Sequence, residues 1–216
     1  MAIHVDLQTG SMHCYGTIGI ESLDGDSFTD SDVAVALSRI GSLRAKVFIN
    51  SPGGLTDVGF AIYNLLKRHP SGCDTFVDGI AASAASIVFL AGENRTMALN
   101  SRIMIHRAHT MVRGNQTELG RVAKTLDEYD RTMLDIYAEA MVATRQQIAK
   151  MLDDETWFDS EQALKIGLAT QITQKASSRI PQLASWFKQP PRQILDSNKV
   201  SDWALESRLL RAKYKI

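Results

Sequence analysis

The feature that most restricts this chain's fold is the stretch from Ala45 to Gly79, which reads as strand, sharp break, helix, strand. Residues 45–50 (Ala-Lys-Val-Phe-Ile-Asn) are short and largely apolar with β-branched members, the pattern of a buried strand. Ser51-Pro52-Gly53-Gly54 breaks it, and Thr56 is placed to cap a helix running to about Arg68. Val58, Ala61, Ile62, Leu65 and Leu66 line one face of that helix, and residues 74–77 resume a strand pattern that Asp78-Gly79 punctuates. A strand, a helical crossover and a second strand form a βαβ unit, so the two strands are parallel. An α/β fold follows.

The alternation continues to about residue 170. Residues 15–20 read as a strand, 33–40 as a short amphipathic helix, and 81–91 as a buried helix of small and apolar residues. Two strand patterns, 96–99 and 102–107, are separated at Asn100-Ser101. A long helix is predicted over 117–143, with Leu119, Val122, Ala123, Leu126, Met133, Tyr137 and Met141 as its apolar positions. Thr144 with Gln147, and Asp159 with Gln162, have capping-box spacing for two further helices, the second ending at Gly167. From about residue 175 prolines interrupt the chain and nine basic side chains face three acidic ones. We expect a domain over 1–174 and a basic C-terminal appendage over 175–216, either a solvated tail or a partner-binding arm.

Three segments could carry chemistry. In Gly79-Ile80-Ala81-Ala82-Ser83-Ala84-Ala85-Ser86 a serine falls between a strand end and a helix start, where backbone N–H groups lack partners and small neighbours admit a substrate. Taken alone, the octapeptide reads more readily as a tightly packed small-residue helix. Paired glycines at Gly53-Gly54 lie at the carboxyl end of a parallel strand, where open α/β sheets bind ligands, and could offer an N–H to a developing oxyanion. Taken alone, they are as well explained by an ordinary strand-to-helix turn. His106 ends the run Ile103-Met104-Ile105-His106; histidine titrates near neutral pH unaided, although a lone one is more often structural. His109 is its local competitor. Neither HExxH nor CxxC spacing occurs, so no metal is implied.

Together these segments resemble the ClpP family of serine peptidases. Phe48-Ile49-Asn50-Ser51-Pro52-Gly53-Gly54, the octapeptide around Ser83, Asn100-Ser101-Arg102-Ile103-Met104-Ile105-His106 and Phe158-Asp159-Ser160-Glu161-Gln162-Ala163 with Gly167-Leu168 occur in family order across about residues 15–172. The resemblance implies a ClpP/crotonase-like superhelical stack of ββα units with a protruding handle helix. It also implies Ser83 as nucleophile, His106 as base, and N–H groups of Gly53 or Gly54 and of Ala84 as the oxyanion hole, with Ser86 the weaker nucleophile. No cofactor is implied. The family pattern has an aspartate two residues before the phenylalanine of the closing signal, and here that position is Thr156. We take Asp154 as the substitute, with Glu155 or a simple dyad also open.

The Glu-Thr-Trp-Phe variant with Ala-Ala-Ser at the nucleophile looks most like ClpP-related prohead (head-maturation) proteases of tailed phages, which implies capsid or scaffold partners. The alternative is a general proteolytic subunit fed by an ATP-driven unfoldase, and either is expected to form a homo-oligomeric ring. Two other readings stay open: a crotonase-type acyl-CoA enzyme on the same fold, and an assembly protein that has lost its chemistry. Formal net charge is zero, so no whole-chain field draws the protein to nucleic acid or an anionic membrane. The first residues lack the basic start and apolar stretch of a secretory signal, and Cys14 and Cys73 have no disulfide-framework spacing, so a cytoplasmic location is expected.

Overall fold

The computed structural model describes residues 3–19 and 26–173, so the basic appendage expected over 175–216 lies outside the described residues. In chain order the elements are β1 (Ile3–Asp6), β2 (Ser11–Tyr15), β3 (Thr17–Ile18), β4 (Ser27–Phe28), α1 (Asp30–Ile40), β5 (Ala45–Ser51), α2 (Thr56–Lys67) and β6 (Cys73–Ala82). There follow α3 (Ala84–Phe89), β7 (Asn94–Ala98), β8 (Arg102–Ile105), α4 (Gln116–Ala140), α5 (Arg145–Asp153), β9 (Thr156–Asp159), α6 (Ser160–Ile166) and β10 (Gln171–Thr173). Among the described residues the main sheet runs β1-β2-β5-β6-β7-β10, with β8 joined to β6 and β9 to β8. The expected α/β class holds, and β5-α2-β6 is the parallel crossover that the sequence required.

The strand β6 carries the architecture. Its first half, Asp74 to Val77, pairs with β7; its second half, Ile80 to Ala82, pairs with β8. Asp78-Gly79, expected to end the strand, instead marks where it changes partner. The strand β5 shifts register against β6 between Ile49 and Ser51, and the Asn50 side-chain oxygen accepts the Ile80 N–H at 3.2 Å. Because the sheet forks there, β6 carries Ser83 past the level of β7 and beside β8.

Local chemistry fixes the helix ends. Capping boxes close α4 at Asn115 and Glu118, α5 at Thr144 and Gln147, and α6 at Asp159 and Gln162. For α2 the cap is Leu55, with no side-chain bond; Thr56 already lies inside the helix. Expected buried on both faces, β5 buries only one along its first half: Val47 and Ile49 are inaccessible while Lys46 is exposed and Phe48 half-buried. His13, Phe48 and Phe76 stack across that second face at 4.9 and 4.7 Å. The core gathers Met12, Ile49, Ile62, Leu66, Ile87 and Phe89 beneath the helices.

Only the second half of α4 is anchored, through Asp130, Met133 and Tyr137. Its first half is exposed, Leu119 included, so this helix projects as the handle expectation required. No described helix is long and apolar enough to cross a membrane.

Candidate active site

At the end of β6 the chain must turn sharply to begin α3, and Ser83 makes that turn with φ 53° and ψ −128°. A non-glycine side chain there is strained, and such strain persists only where the surroundings over-determine it. They do so here. The Ser83 N–H donates to the Met104 carbonyl at 2.9 Å, and the Ser83 carbonyl accepts from the Ser86 N–H at 2.9 Å and the Ser86 hydroxyl at 2.6 Å. The Ser83 side chain stays half-buried rather than sealed in, and its Oγ lies 2.7 Å from His106 Nε2. His106 follows directly on β8 and is 9% exposed, the ring pressed edge-on against His109 at 5.0 Å.

The Ser86 hydroxyl is committed by its bonding. It is 1% exposed, its proton goes to the Ser83 carbonyl, and the Tyr137 hydroxyl donates to its oxygen at 2.6 Å. Burial pushes the Tyr137 phenol well above its usual range, which keeps it a neutral donor. Tyr137 had been legible only as an apolar position of α4.

The loop after β5 lies directly on Ser83. Gly53 has φ 97°, and a methyl group added to it would sit 2.7 Å from Ser83 Cβ and 2.6 Å from the Ala82 carbonyl oxygen. Only glycine fits there. Its N–H, however, donates to the Ser51 hydroxyl at 3.1 Å, which takes it out of the expected oxyanion pair. Gly54 differs: the bridge to Ile18 uses the Gly53 carbonyl and the Leu55 N–H, and leaves the Gly54 N–H out of the pairing. Ala84 opens α3, so helix geometry gives its N–H no intrahelical acceptor. Gly59 lets α2 approach this turn, since a methyl group there would meet Ala84 Cβ at 3.0 Å.

The acidic corner departs from expectation. Asp154 is exposed and bonds Lys150 at 2.8 Å one helical turn back, so it is not brought to His106. The Thr156 hydroxyl donates to the Met151 carbonyl at 2.7 Å and is likewise committed elsewhere. Of the three candidates only Glu155 is buried, at 6% exposure, with a left-handed φ of 52°. Arg107 braces the corner through Asp130 and Asp153, whose carboxyl it holds below the usual carboxylate range.

The remaining titratable groups serve other ends. His69 bonds the carbonyls of Gly41 and Gly72, and His13 belongs to the stacked row on β2. Burial pushes the Cys14 thiol up to about 12 and the Cys73 thiol up to about 11, so neither is a thiolate at neutral pH. Among the described residues no group of three or more histidine, cysteine or acidic side chains could hold a metal.

A hydroxyl and an imidazole at hydrogen-bond distance on a strand-to-helix turn, in an α/β fold, define the class as serine hydrolase-like. Comparison with known proteins narrows the class. A model of the family described as Clp protease matches residues 35–176. The chain is 35% identical over 155 residues to ATP-dependent Clp protease proteolytic subunit 1 of Chlamydia abortus, covering 67% of this chain and 81% of that protein. It is 38% identical over 128 residues to the like-named protein of Protochlamydia amoebophila, covering 57% and 62% respectively. Among solved structures, a point mutant of ClpP1 from Listeria monocytogenes matches with a TM-score of 0.68 at 26% identity, over 78% of this chain and 94% of that one. The chain belongs to the Clp protease family, and it is a serine-type peptidase.

Proposed function

We propose that this chain is a ClpP-type proteolytic subunit in which Ser83 is the nucleophile and His106 the general base, with the N–H groups of Gly54 and Ala84 as the oxyanion hole. The observation that carries the reading is the 2.7 Å approach of His106 Nε2 to Ser83 Oγ at a strained turn capped by Gly53. His106 takes the hydroxyl proton as Oγ bonds to the substrate carbonyl carbon. The carbonyl oxygen gains negative charge, which the two N–H groups stabilise. Collapse breaks the C–N bond, and His106 returns the proton to the leaving amine. Water, deprotonated by the same imidazole, then releases the acyl group and restores Ser83.

The general role, working as a homo-oligomeric ring with an ATP-driven unfoldase, is better supported than head maturation. The relatives reported above are named as subunits of an ATP-dependent Clp protease. The phage reading, with capsid or scaffold protein as substrate, rests on the local Glu-Thr-Trp-Phe variant with Ala-Ala-Ser around Ser83. The test is labelling of the assembled protein with a fluorophosphonate, followed by casein degradation with and without an unfoldase and ATP. Modification of Ser83, and ATP-dependent degradation lost in Ser83→Ala, are the expected results. Absence of labelling would overturn the reading, and cleavage confined to a co-expressed capsid or scaffold protein would favour the phage role.

A further inference from the structure

We propose that Glu155 is the positioning residue that holds the His106 ring, taking over the part of the aspartate that Thr156 replaces; this rests on the Ser83–His106 reading above. Strand register is the first observation. β8 and β9 pair antiparallel from Arg102 opposite Asp159 to Ile105 opposite Thr156. The ladder ends at that pair, and His106 and Glu155 are the next residues on the two strands, so they leave it side by side. Paired Cβ atoms at the ladder's end are about 5 Å apart, so a residue one step beyond lies within reach of a glutamate side chain.

The second observation is how the turn sorts three consecutive acids. Asp153 and Asp154 are exposed at the end of α5, whereas Glu155 is 6% exposed. Burying a carboxylate is costly unless a charged or hydrogen-bonding partner receives it. The left-handed φ of 52° at Glu155 reverses the chain between α5 and β9 and turns this one residue inward. Such a conformation is rare for a non-glycine residue and is held where the surroundings require it.

The third observation is elimination among the polar residues of this corner. Asp154 is bonded to Lys150, and Thr156 to the Met151 carbonyl. Asp153 is bonded to Arg107; Asp130 is bonded to Arg107 and to the Ala108 N–H. His109 meets the His106 ring by its edge. Since Nε2 faces Ser83, the orienting carboxylate must meet Nδ1, which fixes the tautomer with its lone pair toward the serine. A carboxylate there also stabilises the imidazolium that forms when Ser83 gives up its proton, which the Thr156 hydroxyl could not. Glutamate is one methylene longer than aspartate, and that length suits a residue one position earlier in the chain.

The experiment compares Glu155→Gln, Glu155→Asp, Asp154→Asn and Ser83→Ala in the full chain. Each is assayed by fluorophosphonate labelling rate across pH, by kcat and KM on a fluorogenic peptide, and by melting temperature. Glu155→Gln is expected to lower kcat and the labelling rate by about 10²- to 10⁴-fold with KM little changed. Its acid limb of labelling should also move to lower pH as the imidazolium loses its counter-charge. Glu155→Asp should keep more of the rate than Glu155→Gln, and Asp154→Asn should match the parent. Combining Glu155→Gln with Thr156→Asp returns a carboxylate to the family position and should restore at least tenfold. If Glu155→Gln does not fold, Glu155→Asp decides, a labelling rate and acid limb identical to the parent's overturning the role. A Glu155→Gln protein within threefold of the parent, with the same acid limb, overturns the positioning role while Ser83 labelling stands. Turnover by Ser83→Ala at the parent's rate would instead overturn the site itself.

Discussion

Among the described residues two non-glycine residues have positive φ, Ser83 at 53° and Glu155 at 52°, and they flank His106 along the chain. The same strain is supported in opposite ways. At Ser83 the backbone is fixed from both sides, by Met104 on β8 and by Ser86 on α3, and Gly53 presses against it with no room for a Cβ. At Glu155 the backbone N–H reaches the Leu152 carbonyl at a long 3.4 Å, and the nearby bracing is ionic, from Arg107 to Asp130 and Asp153. One corner is built from main chain and small residues, the other from side-chain chemistry. The first leaves no room for a larger residue; the second is held by charged side chains.

Removing the Ser83 hydroxyl, the proposed nucleophile, gives the largest expected effect: Ser83→Ala should cut peptide turnover on the order of 10⁴-fold or more, measured with a fluorogenic peptide. Gly53→Ala tests the rigid corner without touching a reacting group. Its methyl meets main chain on both sides, so the loop must move, and labelling of Ser83 should fall on the order of 10²-fold. A rate near the parent's would show that this corner yields after all. Tyr137→Phe leaves Ser86 bonded to the Ser83 carbonyl and removes one buried donor, which costs about 1 kcal/mol. Thermal unfolding should register that loss as a melting temperature lower by about 2–4 °C, with labelling within threefold.

Asp153→Asn probes the ionic corner and should be the mildest. Arg107 depresses the Asp153 carboxyl, so its stabilising contribution is present above the ordinary carboxylate range and is lost as pH falls through the lower folded value. Melting temperatures of parent and variant should therefore differ at pH 7 and converge as pH falls below the ordinary carboxylate range.

The same contrast separates what could be read in the sequence from what could not. Ser83, Gly53 and His106 were legible as candidates only together, because the ordered segments around them resemble the family pattern; taken singly, each reads as readily, or more readily, as structural. The crossover over residues 45–79 was legible from periodicity. Asp78-Gly79 misled because dipeptide chemistry signals a turn, while the fork that keeps β6 continuous depends on pairing with β8, far along the chain. β9 and β10 have four and three residues, too few for alternation to register. Which of Asp154, Glu155 and Thr156 turns inward depends on a single φ angle, and adjacent acidic residues carry no local signal for it. Gly53 and Gly54 were indistinguishable until the Ser51 hydroxyl was seen to occupy one of them.

The anchoring of α4 at one end has a mechanical consequence. From Asp130, the first anchored residue, to Gln116 the helix runs about 20 Å at 1.5 Å per residue, a free arm on an anchored stem. Ser86 lies 2.6 Å from the Tyr137 hydroxyl, two turns inside that stem. A bend of about 5° at Asp130 would sweep the free tip through about 2 Å and leave the Tyr137 contact in place. The arm therefore attenuates displacement on its way inward. Whatever seizes the tip can rock it freely while the serine turn barely feels the motion, so the projecting helix is a compliant mount rather than a trigger.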